Sequence, residues 1–226
     1  MDKKEIISLI DYTLLKPTVS KEEIITFCNE AIEYGFNTVF VNPYYVSLAH
    51  SLLSSHNIKV GVPIGFSLGG VTTQTKVEET KESIKNGAEE IDMLINLGAL
   101  KSKEYDFVRN DISEVVKASE GLMTKVIIET GLLTKEEKIT ATQLLVEAGA
   151  DFVKTATGFN GGGATVEDIE LLRSLVGKEL GVKAAGGIRT YQDVIDMVNA
   201  GASRIGTSGA LAIIDSIQDQ NNFLRW

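Results

Sequence analysis

Lys154 sits at the inner end of an apolar run, ADFVKTATG, and Lys183 holds the matching place in GVKAAGG. Each is followed within a few residues by a glycine that closes the run. Taken singly, either lysine has a structural explanation: its stem lies along apolar surface while the ammonium reaches water or a carboxylate. Two on neighbouring strands of one closed sheet face the same interior a few ångströms apart. Like charges repel and burial disfavours the ammonium, so both effects lower a lysine pKa. An amine that is neutral near pH 7 attacks carbonyls, and the resulting iminium ion accepts the electron pair of an adjacent C–C bond. One assignment makes Lys154 the amine and Lys183 the charge that keeps it unprotonated; spacing alone leaves the reverse assignment open.

Asp92, in EEIDMLIN, places a carboxylate in a largely apolar strand. It serves either as a purely structural partner of a lysine or as the proton relay that carbinolamine collapse and enamine formation require. Two glycine-bearing segments supply an anion site. AAGGIRT carries Gly186 and Gly187, and RIGTSGA carries Gly206, Ser208 and Gly209. After the seventh and eighth strands of a barrel, such loops bind phosphate through backbone N–H groups. Thr157 and Gly158, just beyond Lys154, join them as candidate substrate-binding residues. Gly161–Gly163 read as a flexible rim that also reaches toward a phosphate. Glu129 and Arg189 are the other strand-end residues with chemical capacity, Glu129 as a hydrogen-bonding support.

Other chemistries find little material. His50 and His56, the only histidines, are six residues apart and do not share a helix face, which argues against zinc. Cys28, the single cysteine, lies in the helical pattern KEEIITFCNEAIEYG and reads as a core thiol; an intrachain disulfide is impossible. No nicotinamide or flavin motif occurs, so the expectation is cofactor-independent chemistry with no metal. The formal charge of −9 argues against nonspecific nucleic-acid binding. The opening MDKKEIISLI is too short and broken for a signal peptide, and no apolar run approaches a membrane span. The expected setting is the cytoplasm.

The elements that must hold these residues repeat. AIEYGFNTVFV, SIKNGAEEIDMLI, LVEAGADFVKT and MVNAGASRIGT each pass from a helix end through a glycine to an apolar strand; the glycines are Gly35, Gly87, Gly149 and Gly201. Their spacings of 52, 62 and 52 residues equal about two βα units each. Candidate strands are Asp11–Leu15, Thr38–Val41, Lys59–Ile64, Glu90–Ile95, Lys125–Glu129, Asp151–Thr155, Val182–Ala185 and Arg204–Thr207. Ser20 before Glu22 and Glu23, and Thr165 before Asp168, mark helix starts between them. Eight alternations without a linker predict one α/β domain over residues 1–226, a single (β/α)8 TIM barrel. An open doubly wound sheet is the alternative, but TLLKPT after the first strand is no phosphate fingerprint.

These residues resemble the deoxyribose-phosphate aldolase family of class I, Schiff-base-forming aldolases. The resemblance runs from DYTLLKPT to RIGTSGALAI and is most specific in VNPYYV, EEIDMLINLGALK, KVIIETGLLT, DFVKTATGF and VKAAGGIRT. It implies reversible cleavage of 2-deoxy-D-ribose 5-phosphate to acetaldehyde and D-glyceraldehyde 3-phosphate. It assigns the Schiff base to Lys154, tuning and proton transfer to Lys183, and the relay to Asp92. It also implies a homodimer. The chain departs from the family pattern at Tyr12, Phe40, Ala156, Ala185 and Gly209, which predicts a pocket bulkier on one side and less hydroxylated on another. Two other readings follow: a Schiff-base lyase acting on a different phosphorylated sugar, and a noncatalytic phosphate-binding barrel. The tail residue Arg225 is expected to be a solvated side chain, with anion binding as the alternative.

Overall fold

The computed structural model describes residues 1–223, with side chains through Ile217; Arg225 lies outside the described residues. Eight parallel strands close into a barrel: β1 (Ile10–Leu14), β2 (Thr38–Val41), β3 (Lys59–Ile64), β4 (Glu90–Leu94), β5 (Met123–Ile127), β6 (Phe152–Lys154), β7 (Gly181–Ala185) and β8 (Arg204–Thr207). β1 pairs with β8 through Asp11 opposite Gly206, which closes the ring and excludes the open sheet. Around the ring lie α1 (Lys3–Leu9), α2 (Lys21–Tyr34), α3 (Val46–Leu53), α4 (Thr73–Lys85), α5 (Leu97–Lys101), α6 (Tyr105–Ala118), α7 (Lys135–Glu147), α8 (Val166–Val176), α9 (Tyr191–Ala200) and α10 (Ala210–Phe223).

Local chemistry sets the helix ends. The Ser20 and Thr134 side chains accept the N–H groups of Glu23 and Glu137, whose carboxylates bond back to the cap N–H groups. Each such cap contributes about 1 kcal/mol. Thr165 accepts the Asp168 N–H in the same way. The four recurring glycines, Gly35, Gly87, Gly149 and Gly201, all have positive φ (75°, 105°, 84° and 114°). That conformation turns the chain from each helix into the next strand at little steric cost to glycine.

Strand five begins and ends two residues earlier than the sequence reading placed it. Glu129 has φ of 55° and opens the short 3-10 turn Thr130–Leu132, so extended pairing stops at Ile127.

The pleat divides the strand residues into two populations. Val39, Val60, Val62, Ile91, Met93, Val126, Val153, Val182 and Ile205 join one apolar core with Ile24, Phe27, Ile112, Leu145 and Leu172 of the helices. Each fully buried aliphatic side chain contributes about 1.5–3 kcal/mol. The alternate residues point inward, and there buried charges gather around the Phe40 ring.

Candidate active site

Asp92 lies at the hub. It sits on β4 and is fully buried. Its Oδ2 accepts from Lys154 Nζ at 2.8 Å and Lys183 Nζ at 2.7 Å, while Oδ1 accepts from Lys125 at 3.1 Å. Register explains the meeting: Lys154 on β6 pairs directly with Lys183 on β7, and Asp92 on β4 with Lys125 on β5. The cluster extends further. Lys125 donates to Glu90 Oε2 at 2.6 Å, and Arg204 reaches Asp11 at 2.7 Å and Glu90 at 3.3 Å. Lys183 Nζ lies 2.6 Å from Asp11 Oδ2 at an angle outside hydrogen-bond geometry, so that oxygen is held by charge alone.

Burying each ion costs several kcal/mol unless close partners offset it. Among the described residues, the interior sets four cations (Lys125, Lys154, Lys183 and Arg204) against three carboxylates (Asp11, Glu90 and Asp92). Lys59 touches Glu90 only at 4.0 Å, from a half-exposed position. Loss of one proton from the cations balances the cluster.

Electrostatics selects the group that gives it up. Burial above all, with the charges of Lys183 and Lys125, outweighs the pull of Asp92 and brings Lys154 down to about 8. An amine with that value is free in roughly a tenth of molecules at pH 7. Burial opposes ionisation of Asp92, but Lys125, Lys154 and Lys183 outweigh it and hold the carboxyl well below its ordinary range. Lys125 is also desolvated, yet Asp92, Asp11 and Glu90 raise it, so it stays charged.

A cavity of about 480 Å3 opens above this cluster at the C-terminal ends of the strands. Lys154 lines it; Asp92 and Lys183 lie beneath. Thr157, Gly158, Gly186, Gly187, Gly206, Ser208 and Gly209 all line it. Gly186 and Gly187 have φ of 89° and 79°, consecutive left-handed residues that suit a turn opening toward an anion. Arg189 and Lys16 add two cations to the walls; Lys16, in TLLKPT, carried no signal beyond its charge. The Gly209 N–H donates to Thr207 Oγ1 at 2.9 Å. The Thr157 N–H and hydroxyl both donate to the buried Glu129 carboxylate, the hydroxyl at 2.6 Å, which gives Glu129 its supporting place.

Three expectations change. Tyr12 does not bulk out this cavity, because the pleat turns its ring outward onto Phe27 and Phe36 (4.3 and 4.6 Å between centroids) and its hydroxyl donates to Glu30. Phe40 and Ala156 are buried and line no part of the cavity; of the five departures, only Ala185 and Gly209 do. Gly161–Gly163 stay off the cavity wall. Asn160 pins that loop to Ser67 O at 2.7 Å and Glu129 at 2.9 Å, and a Cβ at Gly163 would come within 2.5 Å of Gly186 O. Cys28 is buried, and burial pushes its thiol up to about 11, as a core residue requires.

Asp11, Glu90, Lys125 and Arg204 were missed as members of the cluster. The available signal was charge at period two within apolar strands, as in Glu90 and Asp92.

Comparison with known proteins adds a second line. The family model "DeoC/LacD family aldolase" matches residues 5–218. "Deoxyribose-phosphate aldolase 2" of Oceanobacillus iheyensis is 60% identical over 214 residues, covering 95% of this chain and 96% of that protein. The deoxyribose-phosphate aldolase of Thermococcus kodakarensis is 56% identical over 224 residues, covering 97% and 100%. Among solved structures, the tetrameric deoxyribose phosphate aldolase of Aeropyrum pernix superposes with a TM-score of 0.91 at 32% identity, covering 97% of this chain and 93% of that one.

Proposed function

The chain belongs to the DeoC/LacD family of aldolases, and from that premise we propose how this barrel performs its reaction. The enzyme is an aldolase. Its substrate is 2-deoxy-D-ribose 5-phosphate, cleaved reversibly to acetaldehyde and D-glyceraldehyde 3-phosphate. Of the three lysines bonded to Asp92, Lys154 alone borders the cavity. That observation carries the assignment of Lys154 as nucleophile.

The neutral Lys154 amine adds to the aldehyde carbon of the open-chain sugar. Protonation of the carbinolamine hydroxyl expels water and leaves the iminium ion. Loss of the proton from the C3 hydroxyl then breaks the C2–C3 bond, and its electron pair moves to the iminium as an enamine. Glyceraldehyde 3-phosphate departs, the enamine carbon takes up a proton, and water releases acetaldehyde and the free amine. Lys183 and Asp92, on one shared oxygen beneath Lys154, are the groups through which these protons pass. The phosphate lies against Gly186, Gly187, Gly206, Ser208 and Gly209, with Arg189 and Lys16 supplying charge.

Borohydride reduction in the presence of acetaldehyde, followed by peptide mapping, tests the assignment. The expected result is an ethyl group on Lys154 that is absent from Lys154→Ala; ethylation at Lys183 instead would reverse it.

We carry the single-domain, homodimeric and cytoplasmic readings as part of the same proposal. Among the described residues no helix is long and apolar enough to cross a membrane. Light scattering of the purified protein tests the dimer against the tetramer of the Aeropyrum relative.

A further inference from the structure

Phe40 is inward-facing on β2, 1% exposed, and surrounded by ammonium groups. Its ring centroid lies 3.8 Å from Lys183 Nζ, 4.9 Å from Lys125 Nζ and 5.7 Å from Lys154 Nζ. The barrel is shaped to admit the ring. Gly61 on β3 lies against it, and a Cβ there would come within 2.3 Å of Phe40 Cζ. Gly206 on β8 leaves comparable room for the Lys183 stem, whose Cε would be 3.0 Å from an added Cβ.

Asp92 barely distinguishes the two lysines it bridges, since both bond the same oxygen at nearly equal distance. The groups around them do. Lys183 faces Asp11 from β1, Asp92 from β4, Lys125 from β5, Lys154 from β6 and, beyond Asp11, Arg204 of β8; Glu90 meets it only through Lys125 and Arg204. The negative face of an aromatic ring attracts a cation within about 6 Å, most strongly in a desolvated site. Phe40 is far closer to Lys183 than to Lys154, so its attraction favours the proton on Lys183.

We infer that Phe40 is a positioning residue of the reaction: its ring holds Lys183 as the ammonium, so that Lys154 is the member of the pair left as free amine. This rests on Lys154 being the nucleophile. Phe40 lines no part of the cavity and acts only through the lysines that its ring faces.

Stepwise fluorination of the ring tests this, because it weakens the negative face while keeping the shape. Phe40 is replaced by mono-, di- and trifluorophenylalanine, and kcat/KM is followed against pH. Each fluorine weakens the hold of the ring on the Lys183 ammonium 3.8 Å from its centroid, so the alkaline limb is expected to move to lower pH along the series, by roughly tenfold in proton concentration in all. The acid limb, set by the more distant Lys154, moves less. Phe40→Leu shifts the same limb in the same direction. An alkaline limb that stays put through the fluorinated series overturns the inference. Acetaldehyde trapping on each protein is read alongside. Adducts on Lys154 with a stationary limb defeat only the role of Phe40; adducts elsewhere in the unmodified protein defeat the nucleophile reading on which it rests.

Discussion

Lys154 and Lys183 donate to one and the same oxygen, Asp92 Oδ2, at 2.8 and 2.7 Å, yet only Lys154 borders the cavity. One carboxylate thus joins a lysine that borders the cavity to a lysine buried beneath it. In the proposed mechanism the pair is a reactive group and its charge partner.

Removing the partner should silence the amine at neutral pH. The Lys183 charge is one of the causes that lower Lys154, and its loss also leaves Asp92 a stronger attractor of the remaining proton. In Lys183→Leu the acid limb of kcat/KM therefore moves to higher pH. A rise of one unit means about tenfold less free amine at pH 7. An unmoved limb with normal turnover would dismiss the tuning role.

The proposed nucleophile should be a stability defect. Burial lowers Lys154 from an ordinary 10.5 to about 8 in the folded chain. Below pH 8 the ammonium is present in both folded and unfolded chains, and folding bears the whole penalty. The penalty fades as pH rises from 8 through 10.5 and is gone well above it, where the amine is neutral in both folded and unfolded chains. A shift of that size corresponds to roughly 3 kcal/mol. Lys154→Met should be inactive and more resistant to urea at pH 7, with the advantage shrinking at pH 10. A variant less stable than its parent at pH 7 would contradict this linkage.

The glycine-rich end of the cavity, where the phosphate is proposed to lie, has room for one more hydroxyl. Gly209 lines it without a positive φ, and an added Cβ would meet Thr207 Oγ1 at an ordinary 3.6 Å. Its own N–H is engaged by Thr207. Gly209→Ser should lower KM for the phosphorylated sugar by roughly tenfold or more, as a hydrogen bond to a charged group contributes about 1.5–3 kcal/mol in favourable geometry. The unphosphorylated sugar should gain nothing. Equal gains for both would place the phosphate elsewhere.

Much of this barrel was legible in the chain. Gly35, Gly87, Gly149 and Gly201 end helices because glycine tolerates the left-handed turn, and that local rule repeats wherever the chain lies in space. Lys154 and Lys183, each near the C-terminal end of an apolar run, marked neighbouring strands, and the barrel sets them opposite one another. The direction of Tyr12 was misjudged although Asp11 stands beside it. Adjacent strand residues face opposite sides, so an inward Asp11 turns Tyr12 toward the helices.

The amino-acid sequence by itself determined the alternation of helices and strands, the two lysines on neighbouring strands, the aspartate two strands before them, and the glycine-rich loops that follow. These follow from local conformational preference and from charge placed in apolar runs. Tertiary structure alone decided which lysine meets the cavity and which carboxylates neutralise the other. Asp11 reaches Lys183 and Arg204 only because the first strand closes against the eighth. Coulomb energy depends on distance in space, and no spacing along the chain reports the few ångströms that closure creates.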